Sequence, residues 1–177
     1  DKKGLRTPSL SVSQNGVLAY ESDSPNSQLL WFDRGGRPLG KIGEAREYMH
    51  VELSPDGTRL AIEFGDRQRR NFDIDLFDLL KGTSTRFTFD RGSSFRPAWS
   101  PDGSQLAYAL HKQGQVDVIQ KKKSNGTGDA DVLIEGGGAV SDWSWDGRFI
   151  AYQYRPAQNL DLWILPLFGD RKPFPFL

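Results

Sequence analysis

A turn segment that recurs four times along the chain constrains the fold more than any other feature of the sequence. Its fullest copy is Trp99-Ser100-Pro101-Asp102-Gly103, which precedes the apolar run Leu106-Ala107-Tyr108. Related copies begin at Leu53, at Trp143 and, with fewer of the residues kept, at Val12. The turn glycines lie 41, 46 and 44 residues apart: Gly16, Gly57, Gly103 and Gly147. This period indicates the blades of a propeller rather than helical repeats.

Each residue of the Ser-Pro-Asp-Gly turn has a physical role. Ser100 can bond back to the backbone, Pro101 presets φ, Asp102 suits the third position, and Gly103 accepts the positive φ that often follows. A hairpin is therefore expected at each copy. The structural turn and core residues predicted from the three fuller copies are Ser54, Asp56, Gly57, Trp99, Ser100, Asp102, Gly103, Trp143, Asp146 and Gly147.

Short apolar runs with turn residues between them predict two more strands in each unit. The third strands are expected at residues 29–33, 73–78, 117–120 and 161–165, and the fourth at 39–42, 85–89, 131–134 and 172–176. The prediction is an all-β chain, a β-propeller of four four-stranded antiparallel blades that forms either a small ring or an arc of a larger propeller. The blades are expected at residues 9–44, 49–90, 95–135 and 139–177 of a single domain or fragment that spans residues 1–177.

Trp99 and Trp143 occupy the same position of the repeat, which favours packing between blades over a role as an exposed binding platform. An arc of four blades would leave an apolar blade face bare at each end. Self-association through these faces is therefore one expectation.

Composition limits the partners and the compartment only in part. The chain has 23 basic and 23 acidic residues, so charge gives no argument for nucleic acid as a partner. No apolar stretch is long enough to predict membrane insertion by this segment. The absence of cysteine excludes disulfides and thiolate chemistry, but it suits a reducing cytosol and a bacterial envelope equally well.

The Ser-Pro-Asp-Gly turn, the aliphatic-Ala-aromatic strand after it and the acidic third strand together resemble the TolB-like or WD-repeat-like β-propeller repeat of bacteria, over nearly the whole chain. Residues 31–36, 82–90 and 161–174 also resemble the propeller segment C-terminal to the kinase domain of bacterial membrane-bound serine/threonine protein kinases. This resemblance implies a regulatory, sensing or docking segment on the extracytoplasmic side of a bacterial membrane, periplasmic or at the cell surface. A cytoplasmic location is the alternative. Two copies depart from the pattern, with Gln14-Asn15 in the first and Trp145 in place of proline in the fourth.

The sequence contains no phosphate-binding loop, kinase signature or nucleophile-elbow motif, so we expect no catalytic residues and no enzyme activity in this chain. No cofactor is expected. Alternating Asp73, Asp75 and Asp78 suggest a cation site, but their spacing does not match a calcium loop, and turn bonding is favoured, so no metal is expected. Because the first strand of a blade lines the central channel, four residues could present polar groups to a ligand at its mouth: His50, Glu52, Arg96 and Asp142. The alternative, which is favoured, is that they are solvated ends of inner strands.

The leading hypothesis is a non-catalytic protein-interaction or sensor propeller with a protein or peptide partner. The alternatives are a small-ligand or glycan-binding propeller and an accessory propeller of a prolyl-oligopeptidase-type hydrolase. Contacts are expected in the loops between the second and third strands, at residues 21–27, 65–72, 111–116 and 154–159, since loops on rigid scaffolds carry recognition.

Overall fold

The structure is a computed structural model that describes residues 10–12, 18–20, 27–33, 35–66, 71–154 and 160–176. Every regular element in these ranges is a β-strand, and the strands form four separate four-stranded antiparallel sheets. The predicted all-β class and the four-stranded blades are confirmed. The predicted turn at residues 13–17 and most of the loops at 21–27, 65–72 and 154–159 lie outside the described residues.

Each sheet takes its strands in chain order, as expected of a blade in which every strand pairs with the next through a turn. The first blade contains β1 (Leu10–Val12), β2 (Leu18–Tyr20), β3 (Ser27–Phe32) and β4 (Pro38–Arg46), and the second contains β5 (Tyr48–Leu53), β6 (Arg59–Asp66), β7 (Asn71–Asp78) and β8 (Thr83–Arg86). The third contains β9 (Ser93–Trp99), β10 (Gln105–His111), β11 (Val118–Lys123) and β12 (Asp131–Glu135), and the fourth contains β13 (Val140–Trp143), β14 (Phe149–Tyr154), β15 (Asp161–Pro166) and β16 (Phe174–Pro175).

The repeated turn joins the first and second strands of a blade with the same hydrogen bonds in three copies. In the third blade the Ser100 hydroxyl donates to Asp102 Oδ1 at 2.6 Å and accepts the Gln105 N–H at 2.9 Å. Gly103 has φ 68° and donates its N–H to the Ser100 carbonyl at 2.8 Å. The second and fourth blades repeat these bonds through Ser54 and Ser144. Each copy therefore satisfies its polar groups locally.

The apolar core lies between blades, where each tryptophan of the repeat is buried. Trp99 is 7% exposed and packs with Ala61, Ile74 and Phe87 of the second blade. Trp143 is also 7% exposed and packs with Ala98, Ala107 and Ile119 of the third blade. Burying such a ring contributes on the order of 3 kcal/mol, so the blade interfaces are a main source of stability.

The blades follow one another in chain order around an arc. β1 lies beside β5, β5 beside β9, and β9 beside β13. Among the residues that the structure describes, no contact of similar extent joins β13 to β1. The described residues therefore form an open arc, which fits the second of the two predicted arrangements.

The boundaries of the outer strands differ from those expected. The fourth strand of the first blade was expected at residues 39–42, but β4 continues to Arg46, which pairs with Ser27. Gly43, with φ 60°, lies near an irregularity in this pairing, so the glycine bends the strand rather than ending it. β8 ends at Arg86, before the expected residue 89, because the next backbone N–H groups, of Phe87 and Thr88, both donate to the Ile74 carbonyl. β16 covers only Phe174–Pro175 of the expected residues 172–176.

Candidate functional site

The inner strands bring three of the four predicted channel residues into one electrostatic group. His50 and Glu52 both lie on β5, and His50 Nε2 is 3.2 Å from Glu52 Oε1. Asp142 lies on β13, two blades further along the arc, yet its carboxyl is close enough for the Glu52 charge to act on it. The inner surface of the arc therefore gathers one imidazole and one carboxylate from the second blade and one carboxylate from the fourth.

The surroundings of Asp142 change the pKa of its carboxyl. Loss of surrounding water raises the pKa of its carboxyl above the ordinary value, and repulsion from Glu52 raises it further. The N–H of Trp143 donates to Asp142 Oδ1 at 2.8 Å and acts in the opposite direction. Asp142 therefore lies where added negative charge is unfavourable and where a basic or hydrogen-bond-donating partner would be favoured.

Arg96 lies at a backbone bulge of β9, the inner strand of the blade between those that carry His50, Glu52 and Asp142. Counting residues back from Trp99 and from Leu53 makes Arg96 the counterpart of His50. The strand pairing shifts next to His50 in β5 and next to Asp142 in β13, and it also shifts around Arg96 in β9. His50 pairs with Glu63, and Arg96 has φ 53°. The Arg96 N–H donates to Glu63 Oε2 at 2.9 Å. Such a bulge re-aims a side chain, and a residue count does not reveal it.

The acidic residues of β7 are occupied by neighbouring side chains. Asp73 accepts from Arg86 at 2.7 Å, and Asp75 accepts from Arg46 and Ser84 at 3.2 and 3.1 Å. Asp78 accepts the N–H groups of the turn that follows it. The described part of the chain contains no group of three acidic or histidine side chains arranged to hold a metal ion. Asp78 therefore makes the expected bonds to turn backbone, whereas Asp73 and Asp75 bond to side chains of neighbouring strands instead.

A cavity of about 120 Å³ between the second and third blades was not anticipated from the sequence. Its lining includes His111 and Asp117, whose Nδ1 and Oδ1 atoms are 2.6 Å apart, and the buried carboxylate of Glu63. His111 and Asp117 flank the loop between β10 and β11, so only the pairing of these strands brings them together. Their six-residue separation is the one sequence signal that a hairpin would join them.

A second unanticipated feature is a groove of about 290 Å³ between the repeated turns of the third and fourth blades. Trp143 and Trp145 line it together with Asp102 and Asp146. Trp145 is 69% exposed. The sequence feature that could have indicated this groove was the replacement of the turn proline by Trp145.

These features belong to a fold that is similar to known β-propellers. No protein-family model matches the chain, and no curated relative matches it. Among solved structures, TolB from Acinetobacter baumannii is 21% identical with a TM-score of 0.79, over 94% of this chain and 42% of that one. A putative TolB from Agrobacterium tumefaciens is 24% identical with a TM-score of 0.77, over 96% of this chain and 61% of that one.

A third similar structure is that of a prolyl endopeptidase, 18% identical with a TM-score of 0.69, over 97% of this chain and 29% of that one. These likenesses show that the chain has a β-propeller fold of the TolB type. The chain spans about two fifths of the first TolB structure and about three fifths of the second. In the described residues, no helix has the length and apolar character needed to cross a membrane.

Proposed function

We propose that this chain is a non-catalytic protein-interaction or sensor propeller and the regulatory segment of a bacterial serine/threonine kinase, on the extracytoplasmic side of the membrane. The observation that carries the interaction role is the group of His50, Glu52 and Asp142, which separate blades hold together on the inner surface. The link to a kinase is supported by three segments that resemble the propeller segment of such kinases, at residues 31–36, 82–90 and 161–174.

The scaffold suits recognition because it holds the inner strands rigidly. The Trp99 indole N–H donates to the Glu52 carbonyl at 3.1 Å, which ties the strand that carries Glu52 to the third blade. Tyr108 and Phe87 add an edge-on ring contact across the same interface, with their centroids 5.8 Å apart. A partner with basic groups would therefore meet carboxylates that are already positioned, and little ordering would be needed on binding.

The first test is the coding sequence on either side of this segment. A kinase domain and a membrane-spanning segment before it would support the proposal. A hydrolase domain beside it would instead support the second candidate, an accessory propeller of a peptidase, which the similarity to the prolyl endopeptidase structure favours.

The second test measures autophosphorylation of the full-length protein in membrane vesicles. Glu52→Gln combined with Asp142→Asn removes both inner carboxylates and should change the phosphorylation rate several-fold. Glu135→Gln on the exposed outer strand β12 is the matched control and should leave the rate unchanged. An unchanged rate in the double variant would contradict regulation through the inner surface.

A further inference from the structure

The groove between the repeated turns of the third and fourth blades, here called the Trp143 groove, has a counterpart between the second and third blades. In that counterpart Arg59 lies against Trp99, with the guanidinium carbon 4.7 Å from the ring centroid. Arg59 Nη2 also donates to the Gly103 carbonyl at 3.0 Å, and Nη1 donates to Ser124 Oγ at 3.2 Å. The interface between the second and third blades therefore shows that a guanidinium group can occupy such a groove.

The residue corresponding to Arg59 is absent from the Trp143 groove. Arg59 is the second residue after the turn glycine of its blade, and Gln105 holds that position in the third blade. Gln105 is shorter and uncharged, and the groove that it lines has a volume of about 290 Å³. The Trp143 groove therefore keeps an open volume beside the Trp143 ring, but Gln105 supplies no cation to fill it.

Two features make the Trp143 groove more favourable to an external cation. Trp145 replaces the turn proline, so a second indole lines the groove and is exposed over most of its surface. The Gly147 carbonyl, the counterpart of the Gly103 carbonyl, lies in the lining and accepts the Trp143 indole N–H at 3.3 Å. A carbonyl oxygen has a second lone pair with which it can accept from a ligand.

The charge of the groove is negative. Asp102 accepts hydrogen bonds from Ser100 and Ser104, which lower the pKa of its carboxyl below the ordinary value. Ser144 and the Arg148 N–H lower the pKa of Asp146 in the same way. The guanidinium of Arg148 lies over the Phe168 ring at 4.5 Å from its centroid, and its charge also acts on Asp146, so it offsets part of this negative charge.

We propose that the Trp143 groove binds an arginine side chain of a peptide or protein partner, with the guanidinium on the exposed indole of Trp145, beside the small exposed part of Trp143, and its charge balanced by Asp102 and Asp146. This inference deepens the proposed interaction role and rests on it, but it concerns a different surface from the inner carboxylates. Arginine fits better than lysine because its planar group can stack on a ring and donate to a carbonyl at the same time, as Arg59 does.

The experiment titrates the 177-residue chain with N-acetyl-arginine amide and follows the indole N–H resonances by NMR. The Trp143 and Trp145 signals should shift saturably, whereas the Trp99 signal should not. The citrulline analogue, which has the same shape without the charge, should bind at least about tenfold more weakly. Equal binding of citrulline, or no saturable shift, would overturn the proposal.

Matched variants locate the binding. Asp146→Asn should weaken the arginine probe about tenfold, because it removes one of two carboxylates beside a charged ligand. Asp56→Asn changes the same turn position in the second blade, where Arg59 already occupies the groove, and should leave binding unchanged. Trp145→Ala alters an exposed side chain, so it should weaken binding without unfolding the chain. If Asp56→Asn weakened binding as much as Asp146→Asn, the groove would not be the site.

Gln105→Arg is the sharpest variant, since it places an arginine of the chain itself where Arg59 lies in the neighbouring interface. It should block the probe and raise the melting temperature. A neutral disaccharide, cellobiose, serves as the competing probe, and shifts at both indoles from cellobiose but not from arginine would overturn the proposal in favour of a glycan site. Glu52→Gln should leave the arginine-induced shifts of the Trp143 and Trp145 signals intact, so failure in the groove and failure at the inner surface remain distinguishable.

Discussion

The second and third blades meet in the same way as the third and fourth, yet the two interfaces use their tryptophans differently. Trp99 donates its indole N–H to Glu52 of the preceding blade and lies under the Arg59 guanidinium. Trp143 donates to Gly147 in its own turn. Both rings are equally buried. The repeat position therefore dictates burial, whereas the residue two positions after the preceding turn glycine decides whether a guanidinium lies against the ring.

The outer faces of the third and fourth blades differ as well. Ala107 and Ile119 of the third blade are fully buried against the fourth. Their counterparts in the fourth blade, Ala151 and Leu162, are only half-buried. The same positions of the repeat are thus covered or uncovered according to whether a further blade lies next to them.

The largest expected effect comes from truncating the tryptophans. Trp99→Ala and Trp143→Ala should each lower the free energy of unfolding by about 3–5 kcal/mol, because each leaves a large cavity between blades. Trp99→Ala should cost about 1 kcal/mol more, since it also leaves the Glu52 carbonyl without its donor. Denaturant unfolding measures both, with Trp145→Ala as the exposed control. Near-neutral values at both sites would show that the rings do not support the interfaces.

The next largest loss of stability is expected when an alanine is enlarged on the covered blade face, and the uncovered face provides the comparison. Ala107→Leu should destabilise the chain by about 1–3 kcal/mol, because the site is fully buried and offers no space. Ala151→Leu is the matched change on the uncovered face, and we expect little effect on the same unfolding measurement. Equal losses would mean that the fourth blade is covered as fully as the third.

A smaller effect is expected when the two turn grooves are made alike. Arg59→Gln gives the second blade the residue of the third and should cost about 1–2 kcal/mol, through loss of the ring contact and of hydrogen bonds to Gly103 and Ser124. Gln105→Ala is the control and should be nearly neutral. Thermal unfolding separates the two variants, and a similar loss in both would remove the distinction between the grooves.

The smallest effect concerns Asp142, whose pKa is raised in the folded chain. A raised carboxyl pKa means that the folded state disfavours the ionised form, so stability falls as pH rises through the unfolded value near about 3.9. Asp142→Asn should therefore stabilise the chain at pH 7, by less than about 1 kcal/mol because solvent screens the group. Asparagine retains an acceptor for the Trp143 N–H.

The pH profile provides the control for this change. The gain from Asp142→Asn should vanish in acid, where the wild-type carboxyl is protonated in both states. Asp146→Asn should behave in the opposite way. It should lower the stability of the chain at neutral pH, and this loss of stability should fade as pH falls, because the pKa of Asp146 is lowered. A gain from Asp142→Asn that persisted unchanged in acid would exclude this electrostatic origin.

Much of the fold could be predicted because the information is local. The turn from Ser100 to Gly103 satisfies its own hydrogen bonds, so its sequence alone predicts a hairpin. The candidate site was less accessible. Counting residues made Arg96 the counterpart of His50, but a bulge in β9 alters the pairing, and nothing in the residue types there indicates it.

The sequence by itself determined the number of repeats, the turns and the positions of the tryptophans, since each depends on residues within one unit. Only the tertiary structure decided that Arg59 occupies the groove beside Trp99 while Gln105 leaves the next one open. It alone brought Asp142 within reach of the Glu52 charge, from two blades away. The physical reason is that contacts between blades join residues far apart in the sequence, 47 positions for Trp99 and Glu52, and their geometry depends on how whole sheets pack.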